Sequence, residues 1–415
     1  MNIILCTLVS ITTYFFSLIN HYDLQIKSLN NNTKEIAISP TDSTLYDFDI
    51  RPAAHLTGNY IAKLKNKKIA LCVNQTSTIG NVHLVDTLRS LGINIAVIFA
   101  PEHGFRGKAD AGEHVDNSVD ATTGIKIISL YGDHKKPTSA DLADVDMIVF
   151  DIQDVGCRFY TFISTLNYVM EACVDNSVPL LVLDRPNPNG FFIDGPILEK
   201  EYASFVGMNP VPIVHGMTIG EYALMINGEH WLGPNKQCNV VVVQCENYNH
   251  NKMYYVPIAP SPNLKSMQSI YLYPTLCLFE GTPVSVGRGT ETPFEHFGHP
   301  DFAKYSYQFI PQSNAGAKNP TLKGTICYGV NAASAGVLRI RALRKIQLNY
   351  ILNAYNSIDN KATFFTSFFD KLAGNASLQL MIKNGKRENE IRQNWEKGIA
   401  DFKIMRKKYL LYTDF

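Results

Sequence analysis

The stretch that decides the fold is residues 93–107, which read INIAVIFAPEHGFRG. Its apolar run, Ile95 to Ala100, is typical of a strand covered on both faces of a parallel sheet. The run opens directly into Pro, Glu, His, Gly, Phe and Arg. A loop that only turns the chain needs Gly, Pro, Asn or Asp. The carboxylate, imidazole and guanidinium therefore indicate a functional strand end.

Runs of the same kind recur along the first half of the chain. They are KKIALCVNQT (67–76), GIKIISLYG (124–132), VDMIVFDIQD (145–154), VPLLVLDRPN (178–187) and CNVVVVQCEN (238–247). Helical patterns separate several of them, at 81–92, 160–176 and 218–233, and Thr218 and Glu221 have the spacing of a capping box. This alternation predicts an α/β fold: a Rossmann-like, mostly parallel sheet with helices on both faces.

The chain divides into four segments by composition. Residues 1–20 are uncharged and apolar from Ile3 to Ile19, which predicts a signal peptide or an N-terminal anchor. An Asn-rich polar linker follows at 21–50, and the Rossmann-like catalytic domain at 51–255. Residues 256–415 are turn-rich and aromatic before they become helical, which predicts a smaller α+β C-terminal domain that completes a cleft. The leader favours a periplasmic or secreted protein, with membrane anchoring as the alternative.

Composition excludes several classes of partner. The 415 residues carry 38 Lys and Arg against 37 Asp and Glu, whereas nucleic-acid binding would favour a basic excess. The first strand runs into NQTSTIG rather than GxGxxG, and no GxxxxGK[ST] motif occurs, so no nucleotide cofactor is predicted. The seven cysteines beyond the leader form no CxxC pair and no metal-like spacing. We expect a small ligand or an uncharged polymer as partner.

Glu102 is the strongest catalytic candidate. Ligands of open α/β sheets bind beyond the carboxyl ends of the strands, where the polar strand ends of this chain are predicted to share one cleft. A carboxyl group partly desolvated at such a position has a raised pKa and can act as a general acid. His103 can hold it or share its proton. The alternative is that Glu102 pairs with Arg106 and braces the loop.

A second cluster lies in DIQDVGCRFYT, residues 151–161. Asp151 and Asp154 are candidate partners of Glu102, because glycosidic bond cleavage uses one carboxyl group as acid and another as base or nucleophile. Alternatively, Asp154 caps the following helix. The candidate ligand-binding residues of this cluster are Gln153, Arg158 and Tyr160.

Other candidates lie on later loops. The prolines of LDRPNPNG stiffen Asp184, Arg185 and Asn187, which suits either substrate positioning or a simple rigid turn. His215 precedes a helix and is either a ligand or a structural histidine. The C-terminal domain adds Arg288 and Glu291. Metal binding by Glu102, His103, Asp110, Glu113, His114 and Asp116 is disfavoured, because no HExxH or comparable spacing occurs.

A series of longer motifs resembles a known family. FAPEHGFRG, DAGE, SLYG, FDIQDVGCRFYT, LDRPNPNG, HGMTIGE, SPN, LFEGTPVSVGRGT, PFE and the terminal YLLY occur in one order. This order is similar to that of the exo-β-N-acetylmuramidase family typified by NamZ, over roughly residues 50–415. A lone EHG would mean little, but so long a series is highly specific.

The resemblance implies a peptidoglycan-recycling hydrolase that removes N-acetylmuramic acid from the non-reducing ends of glycan fragments. It implies a Rossmann-like larger domain, a smaller C-terminal domain docked on it, and a catalytic glutamate at Glu102 beside His103. Asp151 or Asp154 would be the base or nucleophile, unless the acetamido group of the substrate takes part. The implied partners are peptidoglycan-derived glycans or muropeptide disaccharides, with no protein partner and no cofactor.

The chemistry of muramic acid fits the residues of the predicted cleft. Its lactyl carboxylate suits the planar arginines Arg106, Arg158, Arg185 and Arg288. Its acetamido group needs amide partners, for which Asn74, Gln75 and Gln153 are candidates. Phe105, Tyr131 and Tyr160 are candidates for stacking on the sugar. Two rival hypotheses are a metal-assisted hydrolase that uses His103, Glu113 and His114, and a glycan-binding protein without turnover.

Overall fold

The computed structural model describes residues 43–102, 104–105 and 118–415. In this part of the chain the strands are β1 (Lys68–Val73), β2 (Thr78–Ile79), β3 (Val82–His83), β4 (Asn94–Ala100), β5 (Ser118–Val119), β6 (Lys126–Ser129), β7 (Met147–Asp151), β8 (Leu180–Leu183), β9 (Val240–Val243), β10 (His296–His299), β11 (Tyr307–Phe309) and β12 (Cys327–Asn331). Each of the six predicted apolar runs contains a strand. The residues predicted as a leader, and the linker up to residue 42, lie outside the described residues.

Seven of the described strands form one sheet in the order β5-β6-β4-β1-β7-β8-β9. Every neighbouring pair is parallel except β5 and β6 at one edge. Alternate side chains of β1 enter two apolar layers, with Ala70 and Cys72 in one and Ile69 and Leu71 in the other. This two-sided burial is why the strands read as continuous apolar runs. The predicted fold class is confirmed.

Helices cover the sheet and build the C-terminal region. The described α-helices are α1 (Ile61–Leu64), α2 (Leu84–Ser90), α3 (Ser139–Leu142), α4 (Phe162–Asn176), α5 (Ile219–Gly228), α6 (Met267–Leu276), α7 (Val337–Ala342), α8 (Leu348–Ser357), α9 (Ser367–Ala373), α10 (Ser377–Lys383) and α11 (Glu388–Lys407). The predicted capping box is confirmed, because Thr218 and Glu221 each accept a backbone N–H from the other. Among the described residues, no helix is long and apolar enough to cross a membrane.

The parallel strands place the site. Numbered along the chain without β5, their spatial order is 3-2-1-4-5-6, so the direction of winding reverses between β1 and β7. Clefts for ligands form beyond the carboxyl ends of strands at such a reversal. The segments after β1, β4 and β7 therefore reach the same edge of the sheet, and they carry Asn74, Glu102 and Asp154.

The C-terminal region adds a small antiparallel sheet, β10-β12-β11, and docks helix α6 near this edge. Pro274 lies inside α6 and has no N–H, so the carbonyl oxygen of Ile270 is left without its helical donor. The Nδ2 group of Asn189 donates to that oxygen at 3.1 Å and to the carbonyl oxygen of Val155 at 2.9 Å. Asn189 thus bonds the loop after β7 to the helix. The boundary at residues 255–256 stays a prediction.

Arg158 makes a second connection of this kind. Its side chain is fully buried. Its Nη1 donates to the carbonyl oxygens of Pro196 and Val211, and its Nη2 to those of Leu372 and Ala373, all at 2.7–2.9 Å. One guanidinium therefore joins the loop after β7 to the end of α9, more than two hundred residues later in the chain.

We expect Arg158→Met to lower the free energy of unfolding by about 3 kcal/mol or more, because it removes four buried hydrogen bonds to backbone carbonyl oxygens. Urea denaturation followed by circular dichroism would measure the loss. The matched control is Arg51→Met, which removes an exposed arginine paired with Glu246 and should cost less than about 1 kcal/mol. Equal costs for the two variants would contradict a structural role for Arg158.

Candidate active site

A pocket of about 330 Å³ lies at the reversal point of the sheet, lined by three groups of described residues. The first consists of Glu102, Tyr131 and the segment Phe159–Phe162, which follow β4, β6 and β7. The second is the pair Phe205 and Val206. The third comes from the C-terminal region and includes Tyr273, Glu280, Arg288 and Phe294. The pocket is therefore built from both halves of the chain, and its volume lies in the range of small-ligand sites.

Glu102 lies half-buried in the wall of this pocket. It follows Pro101 at the end of β4, and its Oε2 accepts a hydrogen bond of 2.6 Å from Oγ1 of Thr161. Thr161 precedes helix α4, so the helix and the strand together hold the carboxyl group. His103 and Arg106, the predicted partners of Glu102, lie outside the described residues, as do Asp110, Glu113, His114 and Asp116.

Asp151 lies at the end of β7 in a closed ion pair rather than in the pocket. Both of its carboxylate oxygens accept hydrogen bonds from Arg185, from Nε at 2.5 Å and from Nη2 at 2.9 Å. The two side chains are 0% and 4% exposed. The predicted catalytic role of Asp151 and the predicted ligand role of Arg185 would both require this bidentate pair to open.

Asp154 is buried within a tight turn. Its Oδ2 accepts the N–H of Gly156 at 2.6 Å, and helix α4 begins only at Phe162, so Asp154 does not cap that helix. Burial raises its pKa to about 7. Tyr160 lies nearby, and burial, together with the carboxyl groups of Asp154 and Glu102, raises the pKa of its hydroxyl. Tyr160 therefore lines the pocket as a neutral tyrosine whose hydroxyl oxygen is buried.

The three predicted amide ligands are buried beneath the pocket. The Nε2 group of Gln75 donates to the carbonyl oxygens of Ala259 and Pro260, and that of Gln153 to Asp154 and Pro186. Within the described residues, Oε1 of both glutamines and Nδ2 of Asn74 have no partner. These groups keep hydrogen-bonding capacity, but their side chains are not part of the pocket wall.

The residues of LDRPNPNG have structural contacts. Asp184 is fully buried and accepts hydrogen bonds from Thr218, Gly220 and Tyr412 at 2.6–2.8 Å. The side chain of Asn187 donates to the carbonyl oxygen of Met217 at 2.8 Å. These contacts join β8 to helix α5 and to the chain terminus, which favours the rigid-turn alternative for both residues.

The remaining candidates divide between interior, pocket and surface. Burial is the main reason that the pKa of His215 falls to about 3, so it is a neutral interior histidine. Phe105 is 4% exposed and lies edge-on to His83 at 4.8 Å between ring centroids, inside the core. Arg288 and Tyr131 line the pocket, whereas Glu291 is exposed outside it.

Glu280 is a charged pocket residue that sequence reasoning missed. Its Oε1 accepts a hydrogen bond of 2.5 Å from Nε of Arg288, and its Oε2 lies 3.6 Å from Sγ of Cys277. The residue sits in LFEGTPVSVGRGT, one of the motifs quoted above, so a signal was present. In the part of the chain that the structure describes, no group of three or more His, Cys, Asp or Glu side chains is arranged to hold a metal ion.

Comparison with known proteins agrees with this architecture. Family models described as exo-β-N-acetylmuramidase NamZ, N-terminal and C-terminal, match residues 69–268 and 271–412. The peptidoglycan β-N-acetylmuramidase NamZ of Bacillus subtilis (strain 168) is 40% identical over 379 residues, covering 86% of this chain and 90% of that protein.

Two crystal structures of DUF1343 family proteins from Bacteroides fragilis NCTC 9343 have similar folds. One has a TM-score of 0.83 at 46% identity, and the other a TM-score of 0.72 at 28% identity. Each alignment covers 88% of this chain and 100% of the other.

The raised pKa of Asp154 predicts that the stability of the protein depends on pH. The pKa of Asp154 is raised from 3.8 to about 7, so the folded chain holds this proton more tightly than the unfolded chain does. The contribution of Asp154 to the free energy of unfolding therefore decreases as pH rises from about 4 to about 7. Asp154→Asn stays neutral, so we expect stability near that of the wild type at pH 4.5. At pH 8 the free energy of unfolding of the variant should exceed that of the wild type by on the order of 2–4 kcal/mol.

Urea denaturation of both proteins at the two pH values measures this difference. Asp359→Asn, at an exposed aspartate, is the matched control and should stay within about 0.5 kcal/mol of the wild type at both pH values. A stability difference for Asp154→Asn that does not change with pH would contradict a protonated interior carboxyl group.

Proposed function

The chain belongs to the exo-β-N-acetylmuramidase NamZ family, and we propose that it is a glycosidase that releases N-acetylmuramic acid from the non-reducing end of peptidoglycan fragments. The observation that carries this proposal is the position of Glu102. Its carboxyl group lies at a pocket of sugar size, next to aromatic walls and a hydroxyl donor, at the reversal point of the sheet.

In the proposed reaction, Glu102 acts as the general acid. The bond between the anomeric carbon of the muramic acid and the bridging oxygen breaks, and the carboxyl proton of Glu102 passes to that oxygen as it leaves. Water supplies the hydroxyl group that ends on the anomeric carbon, and the proton it releases balances the one that Glu102 has donated. Thr161 supports this step by holding Oε2 of Glu102 in place at the pocket wall. Tyr131, Tyr160 and Phe205 supply apolar faces on which the sugar can rest.

We expect Glu102→Gln to lower kcat/KM on a disaccharide of N-acetylmuramic acid linked to N-acetylglucosamine by about 10²–10⁴-fold. The loss should be smaller on p-nitrophenyl N-acetylmuramide, because p-nitrophenolate leaves without a proton. Release of N-acetylmuramic acid, measured by chromatography, gives both values. The matched control is Glu396→Gln, at an exposed position of helix α11, which should keep wild-type rates.

Three outcomes of this assay contradict parts of the proposal. A loss below about tenfold on the disaccharide would remove the acid role of Glu102. Binding of the disaccharide without any release of sugar by the wild type would favour the glycan-binding hypothesis. Loss of turnover on exhaustive chelation, with recovery on metal addition, would favour the metal-assisted hydrolase.

We also propose that the protein acts in the periplasm or is secreted, because residues 1–20 have the apolar character of an export signal. Expression in a bacterial host, followed by fractionation, tests this proposal. The full chain should appear outside the cytoplasm, and a chain lacking residues 1–20 should stay inside. Equal distributions of the two chains would contradict it.

A further inference from the structure

We infer that Arg288 is the specificity residue of the pocket and binds the lactyl carboxylate that distinguishes N-acetylmuramic acid from N-acetylglucosamine. This inference rests on the proposed function and adds to it the residue that recognises the charged substituent.

Arg288 lies in the pocket wall contributed by the C-terminal region, in the same pocket as Glu102. Its side chain lines the pocket and is 23% exposed. Among the described residues that line the pocket, Arg288 is the one basic side chain. A carboxylate entering this pocket with the sugar therefore has one cationic partner within the described residues.

Two contacts set the orientation of the guanidinium. Its Nε donates to Oε1 of Glu280 at 2.5 Å, and its central carbon lies 5.0 Å from the centroid of the Phe294 ring. The first contact fixes one edge of the group, and the second covers one face. The two terminal amino groups, Nη1 and Nη2, make no hydrogen bond within the described residues. A carboxylate can accept two parallel hydrogen bonds from such a fork.

The other predicted arginines are committed elsewhere or lie outside the described residues. The terminal nitrogens of Arg158 are bonded to backbone carbonyl oxygens in the interior. Arg185 donates hydrogen bonds from Nε and Nη2 to the two carboxylate oxygens of Asp151. Arg106 is outside the described residues. Of the candidates that the structure describes, Arg288 therefore has both access to the pocket and donors left to offer.

Glu280 acts as a positioning residue in this arrangement. A carboxylate beside the arginine lowers the positive potential that the substrate meets, so the pair gives selectivity by geometry more than by charge. Because Phe294 and Glu280 hold the guanidinium before binding, little side-chain freedom remains to be lost when the substrate enters.

The test compares p-nitrophenyl N-acetylmuramide with its lactyl methyl ester, which has the same shape without the negative charge. We expect Arg288→Met to lower kcat/KM on the free acid by about 10- to 100-fold, mainly through KM, since the carboxylate is bound in both ground and transition states. Turnover of the ester should change less than about threefold. Arg288→Lys should recover part of the preference for the acid, because it keeps the charge but loses the fork.

Arg51→Met is the matched control, since Arg51 also pairs with a glutamate but lies outside the pocket lining. It should keep the wild-type ratio of acid to ester. An unchanged ratio in Arg288→Met would overturn the inference, and so would an equal loss on both substrates, which would indicate a structural or catalytic role. Thermal unfolding of each variant checks that the fold is kept.

Binding measurements separate this inference from the proposed function. If the wild type releases no N-acetylmuramic acid, the proposed function fails, and calorimetric titration with free N-acetylmuramic acid and its methyl ester still tests Arg288. The inference is supported if the wild type binds the acid more tightly than the ester and Arg288→Met binds the two equally. Equal affinity of the wild type for acid and ester contradicts it.

Discussion

The guanidinium of Arg158 lies in the interior of the protein, where four backbone carbonyl oxygens replace the water that the charge loses on folding. Burial lowers its pKa to about 9, which leaves it charged at neutral pH. The residues that follow it, Phe159 to Phe162, form one pocket wall, and Leu372, to which it donates, belongs to another. The shape of the pocket therefore depends on the hydrogen bonds that the terminal nitrogens of one buried cation make.

The carboxyl edge of the sheet follows the same principle. A buried carboxylate is stable when donors surround it, and Asp151 and Asp184 meet this requirement through Arg185, Thr218 and Tyr412. Burial nevertheless raises the pKa of Asp154 and the pKa of Asp184 to about 7. Many of the polar side chains at this edge therefore hold the loops in place. Fewer of them face the pocket than the sequence predicts.

The pocket itself belongs to neither half of the chain alone. Glu102 comes from the end of a central strand, whereas Arg288 and Glu280 come from a segment nearly two hundred residues later. Asn189 and Arg158 bond the two regions together with hydrogen bonds to backbone carbonyl oxygens. Such bonds depend on main-chain position, so they fix the two regions that carry Glu102 and the Arg288–Glu280 pair against each other.

The sequence by itself determined the α/β fold, the six strand positions, the capping box at the start of helix α5, and Glu102 as a strand-end carboxyl group. Burial on two faces and local capping leave patterns in neighbouring residues. Tertiary structure alone decided which polar residues reach the pocket. Asp151 and Arg185 have the charged groups that catalysis and carboxylate binding need. They form an ion pair with each other instead, although they lie 34 residues apart in the chain. Arg288 and Glu280 acquire their place from contacts between distant segments, and distances of that kind leave no periodic signal in a single sequence.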